Sequence, residues 1–196
     1  MEEFEVKFLD IDVAAIEKKL KAIGAKNVAE FFYKRRVFDY SDMRLDKQAS
    51  WLRLRTDGKE TTLTYKRRLG TGAHDGSTND EGMEEIEVSV GDFEAMGTML
   101  VKLGFKEKFY QENKRIRWIK DDVEFDIDFW PRVKPYLEIE ASNWEKIDKA
   151  IALLELNPAD KKIFSANQVF RLSGFEPNDY QRMTFGEFIK RKILTS

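Results

Sequence analysis

The sequence predicts an α+β fold: an eight-stranded antiparallel β-barrel, a tunnel with a charged lumen, with helices packed outside. Three observations point there. Six segments alternate with period two, charged at one parity and bulky apolar at the other. Amphipathic stretches with helix caps lie between them. Two strand–helix–strand units recur at an offset of 80 residues, which implies two pseudosymmetric halves.

The first alternating segment sets Glu3, Glu5 and Lys7 against Phe4, Val6 and Phe8. Asp12 then caps a helix with the apolar face Val13, Ile16, Leu20 and Ile23, stopped by Gly24. Residues 31–38 form a strand carrying Arg35 and Arg36 at opposite parity, and the repeat favours Arg35 as the inward one. Arg53 and Arg55 oppose Leu52 and Leu54, and Lys66 and Arg68 oppose Leu63 and Tyr65. The stretch 70–82, with His74, has no large apolar residue and reads as a solvated loop. Glu85 and Glu87 oppose Ile86 and Val88, and Asp92 caps the second helix, with Phe93, Met96, Leu100 and Leu103 before Gly104. Arg115 and Arg117 lie on a strand over 113–119, Asp126 and Asp128 oppose Phe125 and Ile127, and Glu138 and Glu140 oppose Leu137 and Ile139. A Ser142–Glu145 capping box opens a third helix to about 156. After Pro158 the chain reads as a helix ending near Gly174 and a short one opened by Thr184 and Glu187. The reading is one domain over 1–196: a barrel over 2–142 and a helical part over 143–196.

A strand with one charged face ordinarily belongs to an open sheet with that face in water. Here acids and bases segregate by strand, and eight antiparallel strands suffice to close a barrel. With the apolar faces outward under helices, including Ile86 and Val88, the lumen collects carboxylates and cations in similar number. Such a lumen must be wet and must bind counter-charges, because unpaired buried charge is too costly. Paired carboxylates suit Mg²⁺ or Mn²⁺, and Arg and Lys clusters suit phosphate oxygens.

Composition narrows the classes further. The 196 residues carry 34 Lys+Arg against 36 Asp+Glu, so net charge does not announce a nucleic-acid partner. The absence of cysteine excludes disulfides and thiolate metal sites and fits a cytoplasmic location; one histidine argues against a Ser-His-Asp triad. No apolar run reaches membrane-spanning length, and the acidic N-terminus is unlike a signal peptide.

Glu3-x-Glu5-x-Lys7, followed in order by Arg53-x-Arg55, Lys66-x-Arg68, Glu85-x-Glu87, Lys114-Arg115, Asp126-x-Asp128 and Glu138-x-Glu140, resembles the CYTH, or triphosphate tunnel metalloenzyme, superfamily. The stretch 130–140 is similar to bacterial members, and Asn113 departs by standing where a lysine is expected. The resemblance implies a divalent-metal-dependent hydrolase of a small-molecule triphosphate. In it Glu3, Glu5, Glu138 and Glu140 would hold the metal. Lys7, Arg35, Arg53, Arg55, Lys66, Arg68, Arg115 and Arg117 would clamp the triphosphate, while Glu85, Glu87, Asp126 and Asp128 would bind a second metal or polarise the attacking water. Other members are class IV adenylyl cyclases, the second reading; a non-catalytic polyphosphate or nucleotide binder is the third. The expected partners are the substrate alone, with neither membrane nor nucleic acid, in a monomer or homodimer.

Overall fold

The computed structural model describes residues 4–69 and 83–191. Glu3, the 70–82 loop with His74, and residues 192–196 lie outside the described residues. Eight strands form the main sheet: β1 (Phe4–Phe8), β2 (Lys26–Asp39), β3 (Ser50–Thr56), β4 (Thr61–Arg68), β5 (Met83–Ser89), β6 (Lys106–Lys120), β7 (Val123–Trp130) and β8 (Val133–Ala141). They run in the order β1-β8-β7-β6-β2-β3-β4-β5, every neighbouring pair antiparallel. Residues of both edge strands, Glu5 of β1 and Glu85 of β5, line one cavity, so the sheet curls around it. Among the described residues β1 and β5 exchange no ladder bonds, and the barrel is a curled sheet rather than a hydrogen-bonded ring.

The 80-residue repeat is visible as a pseudo-dyad. Helices α1 (Val13–Ala22) and α3 (Phe93–Lys102), with the single turn α2 (Arg44–Lys47) between them in sequence, stand 80 residues apart; each of the two is capped by an aspartate that accepts from a backbone N–H three residues on, Asp12 from Ala15 and Asp92 from Ala95. Gly24 and Gly104 end them at φ of +79° and +99°, where a Cβ would be strained. In the ladder between β2 and β6 Tyr33 pairs with Asn113, themselves 80 apart, so the dyad passes between them. The same offset turns the pair Arg35–Gln111 into Arg115–Phe31, also a ladder pair. Register then equates Arg53 with Asp126, Arg55 with Asp128, and Lys66 with Glu140. One scaffold is used twice, with the charge inverted at these three positions and kept at Arg35 and Arg115.

The outward faces bury as their alternation demands. Val6, Phe8, Phe125, Ile127, Leu137 and Ile139 pack under α1 and α4 (Trp144–Leu153), with Leu20, Ile147 and Ile151 in the seam. Phe38 and Leu54 pack under α3 through Phe93 and Leu100. Ile86 and Val88 do not follow: they are 58% and 51% exposed. The reason is topological. α4 covers β1 and β8 in one half, and among the described residues the other half has no counterpart over β5 and β4.

The C-terminal part also departs from expectation. α4 is capped by Asn143, not Ser142; Asn143 Oδ1 accepts from Lys146 N at 3.0 Å. Beyond a 3₁₀ turn at Pro158–Asp160, α5 (Ala166–Leu172) opens on a capping box of Ser165 and Gln168. Thr184 and Glu187 open no helix. They close the turn between β9 (Tyr180–Met183) and β10 (Phe188–Lys190), where Thr184 Oγ1 accepts from Glu187 N and the Glu187 carbonyl accepts from Thr184 Oγ1 and Thr184 N. β9 adds to β6 in parallel. Nor is every helix outside: Val169 and Phe170 of α5 pack on Val37, Phe109, Trp130 and Tyr136, which line the cavity. α5 therefore stops one end of the barrel with an apolar plug.

Candidate functional site: a charge-divided cavity

The concave face encloses a cavity of about 690 Å³. Fifteen of the sixteen charged candidate residues fall among the described ones, and all but Asp126 line it; Asp126 lies beneath Arg115 and Arg117. Arg35 faces the cavity, whereas Arg36 points outward to Glu107 (2.5 Å) and Glu94 (3.3 Å).

On the acidic side, the register of β6, β7, β8 and β1 sets charges opposite one another: Arg117 to Asp126, Asp126 to Glu138, Glu138 to Lys7, and Glu140 to Glu5. Arg115 donates to three carboxylates. Nε and Nη2 reach Asp128 at 2.8 and 2.6 Å, Nη1 reaches Asp126 at 2.6 Å, and Nη2 reaches Glu138 at 3.1 Å. Asn113 Nδ2 adds a third bond to Asp128 at 3.2 Å. Lys7 bridges Glu5 (2.7 Å) and Glu138 (2.9 Å). Burial alone would raise the Glu138 carboxyl, but Lys7 and Arg115 outweigh it and hold it well below the usual range. At Asp128 burial prevails over Arg115 and pushes the carboxyl up. Glu5, Glu138 and Glu140 each bring a carboxylate oxygen to within 4.8 Å of the others. An all-oxygen set of three carboxylates fits a hard divalent cation.

The basic side is balanced differently. Arg35 lies directly opposite Arg55 in the ladder, and Arg53 and Arg55 share one acid, Glu87, at 3.8 and 3.9 Å. Glu87 also accepts from Thr64 Oγ1 at 2.6 Å, and Lys66 pairs with Glu85. The Nε atoms of Arg35 and Arg53 are buried and have no hydrogen-bond partner. Burial, with the Arg55 and Arg115 charges, pushes the Arg35 guanidinium down to about 10; burial with Arg55 and Arg35 lowers Arg53 as well. Arg35 therefore remains charged at neutral pH. Buried donors without partners beside like charges are an unmet demand for an anion.

A family model for the CYTH domain matches residues 1–169. The chain belongs to the CYTH domain family. Over 190 residues it is 26% identical to a Methanocaldococcus jannaschii protein named as a candidate adenylate cyclase, covering 95% of this chain and 98% of that one. Among solved structures, a conserved hypothetical protein of Pyrococcus furiosus superposes with a TM-score of 0.70 at 22% identity, over 85% of this chain and 99% of its own. A Hippeastrum protein, described as a candidate adenylyl cyclase with a dominant triphosphatase activity, superposes at 0.62 with 18% identity, over 91% of this chain and 99% of its own. These structures establish the CYTH fold. Members of the family are triphosphatases or adenylyl cyclases and use divalent metals. Among the described residues no helix is long and apolar enough to cross a membrane.

Within this CYTH domain the sequence patterns miss Tyr33, Trp130 and Tyr136 as residues that organise the site, and they single out Asn113 only as a departure. All are buried, and all sit at inward parity on their strands. That parity is the signal for them, and their lack of charge is what hides it.

Proposed function

We propose that this CYTH protein is a divalent-metal-dependent hydrolase of triphosphates. One observation carries the reading: partnerless, buried guanidinium N–H groups and a three-carboxylate cluster share a single cavity. Arg35, Arg53 and Arg55, with Lys66 and Arg68 beside them on β4, would clamp the phosphate chain, bidentate contact being the strength of a guanidinium. Glu5, Glu138 and Glu140 would hold Mg²⁺ or Mn²⁺, which neutralises charge on the phosphoryl oxygens when bound.

Phosphoryl transfer of this kind depends mainly on positioning and electrostatic stabilisation. Arginines fixed before substrate arrives need no reorganisation as negative charge moves to the leaving oxygen. Glu85 and Glu87, on the far edge strand, would accept a hydrogen bond from the attacking water and hold it in line. Asp126 and Asp128 receive another task in this reading. Both are almost fully buried and engaged by Arg115, so they orient Arg115 and Arg117 rather than meet a water.

The name of the Methanocaldococcus relative supports a second reading, cyclisation of ATP. Products decide. With Mg²⁺ or Mn²⁺, hydrolysis turns ATP into ADP and orthophosphate, and inorganic triphosphate into pyrophosphate and orthophosphate. Cyclisation gives cyclic AMP and pyrophosphate, and a binding protein gives neither.

A further inference from the structure

We propose that Tyr33 is a positioning residue for the triphosphate site: its ring holds Arg35 and Arg55 side by side as cations left open to phosphate oxygens. The inference rests on the anion-binding reading above. Arg35 and Arg55 are directly opposed across the ladder of β2 and β3, where like charges repel. The other half avoids this by exchange: Asp128 stands where Arg55 stands here, and Asp126 and Asp128 fix Arg115 and Arg117. That solution consumes the positive charge. Among the described residues no carboxylate lies within ion-pairing distance of Arg35, and Arg55 meets only Glu87, at 3.9 Å.

What both do meet is an aromatic face. The Arg35 and Arg55 guanidinium carbons lie 5.3 and 4.7 Å from the Tyr33 ring centroid, and Arg35 also lies 4.9 Å from that of Trp130. A π face attracts a cation yet carries no net charge, so it holds a guanidinium without neutralising it. Both rings are themselves fixed. Tyr33 stacks on Phe31 at 5.0 Å and 16°, and Trp130 donates from Nε1 to Tyr136 Oη at 2.8 Å. Tyr33 also occupies the dyad position whose mate, Asn113, uses a neutral amide to hold Asp128, the counterpart of Arg55. Each dyad residue thus steadies a charged group of its own half without cancelling it.

The test is a fluorination series at position 33. Tyr33 is replaced by phenylalanine and then by mono-, tri- and pentafluorophenylalanine, which drain the ring's negative face at nearly constant shape. Binding of inorganic triphosphate without metal is measured calorimetrically, with the melting temperature recorded for each variant. Phenylalanine should bind within about twofold of wild type. Affinity should then fall stepwise to about tenfold weaker at pentafluorophenylalanine, or about 1.4 kcal/mol, with little change in melting temperature. Should the last variant fail to fold, the slope over the milder ones still decides. Wild-type binding with a flat series would overturn this inference alone. No binding by wild type would overturn the proposed function, and this inference with it.

Discussion

Replacing Arg115 with methionine tests the buried charge network directly. The substitution keeps most of the side-chain volume and removes the cation that donates to Asp126, Asp128 and Glu138. The three acids are not left equally exposed to the loss. Asp126 keeps Arg117 at 2.7 Å and Glu138 keeps Lys7 at 2.9 Å, but among the described residues Asp128 keeps only the Asn113 amide at 3.2 Å. Removing one partner of a buried ion pair costs about 3–5 kcal/mol. For a chain of this length that is a fall of about 6–20 °C in melting temperature at pH 7.5. The sign of the pH dependence follows from Asp128, whose carboxyl burial already raises. Without Arg115 it rises further above its unfolded value, so the folded variant binds the extra proton and the deficit shrinks as pH falls. Urea unfolding of wild type and variant at pH 7.5 and pH 5 should show a deficit smaller by more than about 1 kcal/mol at the lower pH. A deficit below about 1 kcal/mol at pH 7.5, or one equal at both pH values, would refute the reasoning.

Three further outcomes are expected. Glu5→Gln and Glu140→Gln should each weaken Mn²⁺ binding at least about tenfold by calorimetry; unchanged affinity in both would remove these residues from the metal site. Arg53→Ala and Arg55→Ala should each weaken triphosphate binding by about 10- to 150-fold, or about 1.5–3 kcal/mol, the range for a hydrogen bond to a charged group. Inorganic triphosphate without metal, at about 100 times its Kd, should stabilise the protein by about 2.7 kcal/mol, a rise of about 5–11 °C; a stationary melting curve would mean that the partnerless Arg35 and Arg53 nitrogens are no anion site.

Alternation made much of this legible from sequence, because a strand's period of two fixes which residues share a face whatever the strand packs against. Glu5 with Lys7, Arg53 with Arg55, and Glu138 with Glu140 could be sorted that way, and the 80-residue offset separated Arg35 from Arg36. What alternation cannot report is what covers a face. Ile86 and Val88 have the pattern of Val6 and Phe8, yet only the latter lie under a helix. Val169 and Phe170 form an apolar pair that would suit an outer groove as well as the barrel end where they lodge. Register was equally hidden: nothing local states that Arg115 falls opposite Asp128 while Arg35 falls opposite Arg55. That difference leaves one half neutralised and the other short of an anion.

The central claim is that the carboxylate cluster and the unneutralised arginines act together on one triphosphate. It is tested most directly by following orthophosphate release from inorganic triphosphate at pH 7.5 with Mg²⁺ or Mn²⁺, with and without excess chelator, for wild type beside Glu140→Gln and Arg55→Ala. The account predicts release that stops with chelator and falls by at least about tenfold in each variant. No release with either metal, or release that persists in chelator and in both variants, would contradict it.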